Sequence, residues 1–108
     1  MPRLLLRPSA RADLANISRY IYEQSGSDRI AVEYVRRIRA WCAHLPVFPE
    51  GGRTRDDLRP RVRIVTFERR VVIAYTILPS GDVEIGRFFY GGRDYEAIMH
   101  AGDQGDWK

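Results

Sequence analysis

Apolar residues in the first half of the chain recur with the spacing of two amphipathic helices. One stripe, at i, i+4, i+7 and i+11, consists of Ala10, Leu14, Ile17 and Ile21. Ser9 precedes this stripe and is expected to cap the helix. A second helix is predicted over residues 29–44, and its apolar face comprises Ala31, Val35, Ile38, Cys42 and Leu45, widened by Ile30, Tyr34 and Trp41. Between the two helices, Gly26 can end the first helix, and Ser27 and Asp28 are residue types that cap the start of the second. We therefore predict a helical hairpin.

Strand patterns flank this hairpin on both sides. The apolar run in residues 2–7 (PRLLLR) predicts a first strand that Pro8 ends. Residues 49–57 (PEGGRTRDD) read as a polar loop, and period-two alternation then begins after Pro60. Further strands are predicted over VVIAYTIL and Val83–Tyr90, with hairpin turns at FERR and LPSGD. We therefore predict an α+β fold: an N-terminal strand, a helical hairpin and a three-stranded antiparallel meander, with the helices packed on one sheet face.

The length and composition suit one folded domain. A chain of 108 residues with 44% apolar and 30% charged residues can build a single core, which we place in residues 1–100. Residues 101–108 are expected to form a flexible C-terminal tail. The single cysteine, Cys42, cannot form an internal disulfide, and no apolar run is long enough for a signal or membrane segment. We therefore expect a cytoplasmic protein without a membrane partner.

The basic residues are almost all arginines. Arginine accounts for 17 of the 18, and the formal net charge is +4. The planar guanidinium suits carboxylates, phosphates and aromatic faces, which favours recognition over lysine-based covalent chemistry. Arg61 and Arg63 are expected to share one strand face by parity, so these arginines could line a basic surface on the sheet face that the helices leave open. A solvated face that maintains solubility is the alternative.

Residues with obvious catalytic chemistry are scarce. No serine or cysteine lies near a histidine in a recognised nucleophile pattern, and Asp56–Asp57 are interpreted as ion-pair partners of neighbouring arginines. Gly91–Gly92 lacks the longer glycine pattern of a phosphate loop and is read as a turn. Two histidines and one cysteine are too few for a zinc site. We expect no enzymatic activity, no metal and no cofactor.

Six motifs in a fixed order resemble ParE-type toxins of the RelE/ParE superfamily of bacterial toxin-antitoxin systems. They are AxxDLxxIxxYI (10–21), AxxYVxxIxxWCAHL (31–45), PxxG (49–52), DLRPxVR (57–63), VVIAY (71–75) and VEIGRFFYGGRDY (83–95). This resemblance spans nearly the whole chain and implies a small toxin held inactive by a cognate antitoxin. ParE-like members poison DNA gyrase, so that cleaved DNA accumulates, whereas the RelE branch cuts messenger RNA in the ribosome.

The resemblance also names the residues that separate these two branches. Under the ribonuclease alternative the catalytic set is Arg55, Arg63, Arg93 and Tyr95. Lysines are absent from this region, and Asp57 stands where the nucleases carry a basic residue, so an acid there would repel RNA phosphate. The resemblance therefore implies a non-hydrolytic gyrase inhibitor. A RelE-like ribonuclease and an inactive homologue that still binds its antitoxin are the alternatives.

The expected partners are a ParD-like antitoxin with an acidic amphipathic tail, in a hetero-oligomer, and DNA gyrase as the target. We expect no sequence-specific DNA binding by this chain itself. An acidic tail would complement arginines and exposed aromatic side chains. The predicted charged contacts are Arg59, Arg61, Arg63, Arg87 and Arg93, and the predicted apolar contacts are Tyr34, Trp41, Phe88 and Tyr90.

Overall fold

A computed structural model describes residues 1–101 of the chain. The elements in order are β1 (Leu4–Leu6), α1 (Pro8–Ser25), α2 (Asp28–Cys42), a 3₁₀ helix (Pro49–Gly51), β2 (Arg53–Thr54), β3 (Arg63–Phe67), β4 (Val71–Ile77), β5 (Val83–Tyr90) and α3 (Tyr95–His100). This order confirms the predicted α+β fold with its helical hairpin and antiparallel meander. The predicted flexible tail lies outside the described residues, apart from Ala101. No helix within residues 1–101 is long and apolar enough to cross a membrane.

The five strands form one sheet in the order β1-β5-β4-β3-β2. β1 runs parallel to β5, with Leu4 opposite Val83, and the remaining pairs are antiparallel. A bulge interrupts the pairing of β5 with β4, because the register passes from Arg87 directly to Ile85 and leaves Gly86 unopposed. The carbonyl of Gly86 instead accepts a hydrogen bond of 2.7 Å from the Ser9 hydroxyl. The bulge therefore lies where α1 begins to cross the sheet.

Both faces of the sheet carry a buried cluster. Alternate side chains of β4 point to opposite faces, so Ile73 faces the helical hairpin and Ala74 faces the other way. The larger cluster packs α1 and α2 against β3, β4 and β5. The smaller cluster joins Met99 of α3 to Phe89, with Leu58 and Val62 from the loop before β3. The predicted open face is thus partly covered, because α3 returns across it.

The helix ends follow the capping pattern at one junction and depart from it at another. Gly26 ends α1 with a φ of 70°, and Ser27 accepts a hydrogen bond from the Ile30 amide at the start of α2, as predicted. The predicted Ser9 cap is wrong, because α1 already begins at Pro8, with Arg7 at the N-cap position, and the fixed φ of proline suits the first turn of a helix. Ile30 does not widen the buried face of α2 and is 52% exposed.

The turns account for the tight meander. Glu68 and Arg69 both have left-handed φ angles, of 52° and 60°, which is the conformation that matches the twist of a β-hairpin.

β2 was not predicted, because a two-residue strand leaves no alternation in the sequence. It pairs Arg53 with Ile64 and Thr54 with Arg63 at the edge of the sheet.

Candidate functional site

Arg87 forms a nearly buried ion pair with Asp13. The guanidinium donates to both carboxylate oxygens, with Nε 2.7 Å from Oδ2 and Nη2 3.2 Å from Oδ1. The backbone amide of Phe88 donates to the same Oδ2 over 2.9 Å. The side chains of Arg87 and Asp13 are only 12% and 8% exposed. Arg87 therefore fastens α1 to β5, and it is poorly placed as the partner contact predicted from the sequence.

The cluster Arg59, Arg61 and Arg63 does not form one strand face. Arg61 lies in the turn before β3 with a left-handed φ of 66°, and its amide donates to Asp56 Oδ1 over 2.7 Å. The parity prediction for Arg61 and Arg63 is wrong, because β3 begins only at Arg63. Burial lowers the pKa of Arg59, which is half-buried. Arg61 is the exposed member of the three.

Arg63 belongs to a clamp on the loop that precedes β2. Its Nη1 donates to the carbonyls of Glu50 and Gly52 over 3.2 and 2.9 Å. The Tyr75 hydroxyl donates to the Pro49 carbonyl over 2.8 Å and accepts from the Gly52 amide over 2.9 Å. Burial raises the pKa of Tyr75 above the ordinary phenol value. These bonds give Arg63 a structural role.

Arg55 is surrounded by acids. Its Nε and Nη2 donate to the two carboxylate oxygens of Asp57 over 2.9 and 2.8 Å, and its Nη1 lies 2.7 Å from Glu96 Oε2. The Tyr95 hydroxyl lies 3.5 Å from the same Nη1. Hydrogen bonding to Arg55 lowers the pKa of Asp57 to about 2, and the bond to Asp57, followed by that to Glu96, raises the pKa of Arg55. This cluster holds α3 against the loop before β3.

Five aromatic rings form a continuous row at the end of the sheet where β5 stops. Tyr20 of α1 lies 5.6 Å from Tyr90, which lies 5.8 Å from Tyr34 of α2, measured between ring centroids. The row continues from Tyr34 to Phe67 over 6.2 Å and from Phe67 to Trp41 over 5.9 Å. The rings meet at tilted or edge-on angles, the geometry that their quadrupoles favour. We call these five residues the aromatic row.

The aromatic row is exposed unevenly. Tyr20 is 47% exposed and Tyr34 only 9%, while Trp41 and Tyr90 are half-buried. Burial raises the pKa of Tyr34, whose hydroxyl has no hydrogen-bond partner within the described part of the chain. Phe88 is 1% exposed, so its ring cannot project from the surface as a partner contact. The accessible part of the row is thus its Tyr20–Tyr90 end and the indole of Trp41.

A cavity of about 330 Å³ opens beside the exposed end of the aromatic row. Its lining combines apolar and polar side chains from α1 with residues at and beyond the end of β5: Asp13, Asn16, Ile17, Tyr20, Phe88, Tyr90, Gly91 and Arg93. Arg93 is exposed, and its guanidinium carbon lies 5.9 Å from the centroid of the Phe89 ring. We call this cavity the Tyr20 pocket.

The predicted contact residues therefore divide between the two ends of the sheet. Arg61 lies near the end of β4, where it lines a surface depression with Ile77 and Glu84. Arg93 and Tyr90 lie at the far end of β5, which as an eight-residue strand is roughly 25 Å long. The structure does not bring the five predicted arginines together into one patch.

Two residues of this region, Asp13 and Tyr20, stand in the motif AxxDLxxIxxYI but were not predicted as contact residues. Asp13 falls at the i+3 position between Ala10 and Leu14 on the apolar stripe of α1, and a carboxylate on a core-facing stripe was the available signal. Tyr20 lies three residues beyond Ile17, at the edge of the same stripe. Neither position could be linked to β5 without the three-dimensional structure.

Metal-binding and nucleophilic groups are sparse in the described part of the chain. No group of three histidine, cysteine, aspartate or glutamate side chains within residues 1–101 could hold a metal ion. Cys42 is 1% exposed, and burial raises the pKa of its thiol to about 12. A neutral, buried thiol is a poor nucleophile.

Comparison with known proteins gives the family. No curated protein matches the sequence. A solved structure described as the chromosomal ParDE TA system from P. aeruginosa is similar to this chain, with 25% identity, a TM-score of 0.71, and coverage of 84% of this chain and 97% of that one. The family described as the ParE toxin of the type II toxin-antitoxin system, parDE, matches residues 4–95. The chain therefore belongs to the ParE toxin family of type II toxin-antitoxin systems.

Proposed function

We propose that this chain is a toxin that inhibits DNA gyrase by binding, without breaking bonds itself, and that a ParD-like antitoxin neutralises it in a hetero-oligomer. Membership of the ParE family supports the toxin and its antitoxin partner. The similar structure is described as a ParDE system, which supports the same pairing. The choice of gyrase over the ribosome depends on the residues of the ribonuclease alternative.

The charge environment of Arg55 is the observation that favours binding over catalysis. A nuclease needs cationic groups aimed at the charge that develops on the scissile phosphate. Arg55 is instead paired with both Asp57 and Glu96, so the cluster carries one net negative charge. Arg63 is committed to two backbone carbonyls of the neighbouring loop. Two of the three arginines in that set are therefore already used within the protein.

Gyrase trapping and messenger RNA cleavage can be compared directly with purified protein. The chain is incubated with gyrase and supercoiled plasmid, and the fraction of plasmid linearised after detergent and protease treatment is measured. The parallel reaction contains ribosomes with a bound transcript. Linear plasmid without transcript cleavage is the expected result, and transcript cleavage without linear plasmid would overturn the proposal.

Tyr95→Phe is the matched variant for the same assay. It removes the hydroxyl near Arg55 and keeps the ring, which packs 6.0 Å from Phe89. If Tyr95 assisted proton transfer, its loss would slow cleavage by about 100-fold or more. We expect gyrase trapping by the variant to equal that of the wild type.

A further inference from the structure

The Tyr20 pocket has the form of an anchor site for an apolar side chain. Tyr20 and Tyr90 give it an apolar wall, while the nearly buried Ile17 and Phe88 contribute little exposed surface to its lining. Asp13 also lines it, yet this carboxylate already accepts bonds from Arg87 and the Phe88 amide. The pocket therefore does not require a charged occupant at its base. Its volume of about 330 Å³ lies at the small end of the range for ligand sites, which suits one or two side chains.

The rim of the pocket adds a charge preference. Arg93 is exposed and lines the pocket. A carboxylate placed next to the anchoring side chain would form a charge-assisted hydrogen bond with this guanidinium. The formal net charge of +4 adds a long-range attraction for an acidic partner. An acidic segment with an apolar residue beside a carboxylate matches both features.

We propose that the Tyr20 pocket receives one apolar side chain of the acidic antitoxin segment, with a neighbouring carboxylate bound to Arg93. The proposal rests on the proposed function, because the antitoxin is the occupant. An anchor buried in a preformed pocket carries a large share of the binding energy at protein interfaces, and the surrounding contacts mainly exclude water. The ring contacts of Tyr90 with Tyr20 and with Tyr34 position the two tyrosines of the pocket wall in the unbound protein.

Matched substitutions on α1 test the anchor. Tyr20→Ser opens the pocket wall, and Asn16→Trp fills the cavity from the exposed side of the same helix. Tyr22→Ser is the control, because Tyr22 is 46% exposed, almost as much as Tyr20, and does not line the pocket. Arg93→Gln is paired with Arg29→Gln, another exposed arginine outside the pocket. Thermal unfolding of each variant verifies that the fold is retained.

Binding is measured by calorimetry with the purified product of the adjacent upstream reading frame, which we expect to encode the ParD-like antitoxin. We expect Tyr20→Ser and Asn16→Trp to weaken binding by at least about tenfold and the controls to stay within about twofold. Arg93→Gln should weaken binding and reduce its dependence on salt concentration, while Arg29→Gln should leave both unchanged.

Three other results would overturn the proposal in distinguishable ways. Wild-type binding combined with unchanged affinity of both pocket variants would remove the antitoxin from this pocket. Loss of gyrase trapping with unchanged antitoxin binding would assign the pocket to the target. A wild-type chain that fails to bind the antitoxin would overturn the proposed function and this inference with it.

Discussion

The Asp13 carboxylate holds Arg87 in place, because Oδ2 of Asp13 accepts a hydrogen bond of 2.7 Å from Nε of Arg87. The same oxygen also accepts a hydrogen bond from the backbone amide of Phe88. β1 pairs with β5 only as far as Ile85, so β5 has an open edge beyond that residue. Ser9 and Asp13 satisfy this edge at Gly86 and Phe88. One helix thus replaces the missing continuation of β1 with side-chain hydrogen bonds.

Asp13→Ala is expected to lower the free energy of unfolding by about 3 kcal/mol, because it removes the carboxylate that accepts hydrogen bonds from a nearly buried guanidinium and from an edge amide. Urea denaturation followed by circular dichroism measures the change. Glu33→Ala is the control, since Glu33 and Arg36 form an exposed pair 3.5 Å apart. The control should lose less than about 1 kcal/mol. Equal losses from both variants would contradict the structural role of Asp13.

Gly52→Ala should be destabilising where Gly51→Ala is not. A Cβ at Gly52 would lie 2.5 Å from the Tyr75 hydroxyl, whereas a Cβ at Gly51 meets nothing within 4 Å. The buried Tyr75 ring would have to shift, at a cost of about 1–3 kcal/mol, as in other overpacked sites. Gly51→Ala should be neutral or stabilise by up to about 1 kcal/mol by restricting the unfolded chain. Differential scanning calorimetry of the two variants checks the contrast.

Arg61 and Arg63 should fail in different ways when changed to glutamine. Arg61 is exposed, and we propose it as an antitoxin contact, so Arg61→Gln should weaken antitoxin binding by about tenfold and reduce its salt dependence. Arg63→Gln removes two bonds to loop carbonyls and should instead lower the free energy of unfolding by about 1–3 kcal/mol. Calorimetry measures antitoxin binding by both variants, and thermal unfolding measures their stability. Equal losses of affinity and of stability in the two variants would contradict this division of roles.

Cys42 should make the free energy of unfolding fall as pH rises through the alkaline range. Burial raises its pKa from 9.0 to about 12, so between these pH values the unfolded chain releases the thiol proton while the folded chain retains it. The contribution is therefore fully present below pH 9 and is lost as pH rises toward about 12. Cys42→Ala should show a shallower fall in unfolding free energy over this range. An identical pH dependence of the two proteins would refute the assignment.

Met99 should contribute more to stability than Asp94, which caps the same helix, α3. Met99 is 4% exposed in the smaller cluster, and Met99→Ala should cost about 2–4 kcal/mol. Asp94 caps α3 by accepting a hydrogen bond of 3.1 Å from the Ala97 amide, and Asp94→Ala should cost about 1 kcal/mol. The free energy of unfolding of the two variants, measured in urea, checks this order.

The helices and the central strand could be predicted because their signals depend only on residues that are close together in the chain. The spacing of apolar residues predicts α1 and α2, and the apolar run predicts β4. The glycine at position 26 marks the end of α1. β2 and the parallel pairing of β1 with β5 depend on contacts between distant residues, and they leave no periodic signal. The covering of the second sheet face was missed for the same reason, because six residues of α3 carry little pattern of their own.

The candidate site was predicted by residue type more than by location. Arg93, Tyr90 and Trp41 lie where a partner can reach them, but Arg87 and Phe88 do not. A sequence reveals that arginine is abundant without showing which guanidinium has an acid beside it. Asp13, distant in the chain, supplies that acid and converts a predicted contact into a structural pair.

The parallel pairing of β1 with β5 also bears on synthesis of the protein. Arg3 and Asp82, joined at the start of this pairing, are 79 positions apart. A nascent chain that has not yet reached Val83 has no strand to accept its N-terminal segment, because β5 separates β1 from β4. Such a distant contact forms slowly, since a long loop must close first. The complete domain therefore assembles only after nearly all of its residues have left the exit tunnel.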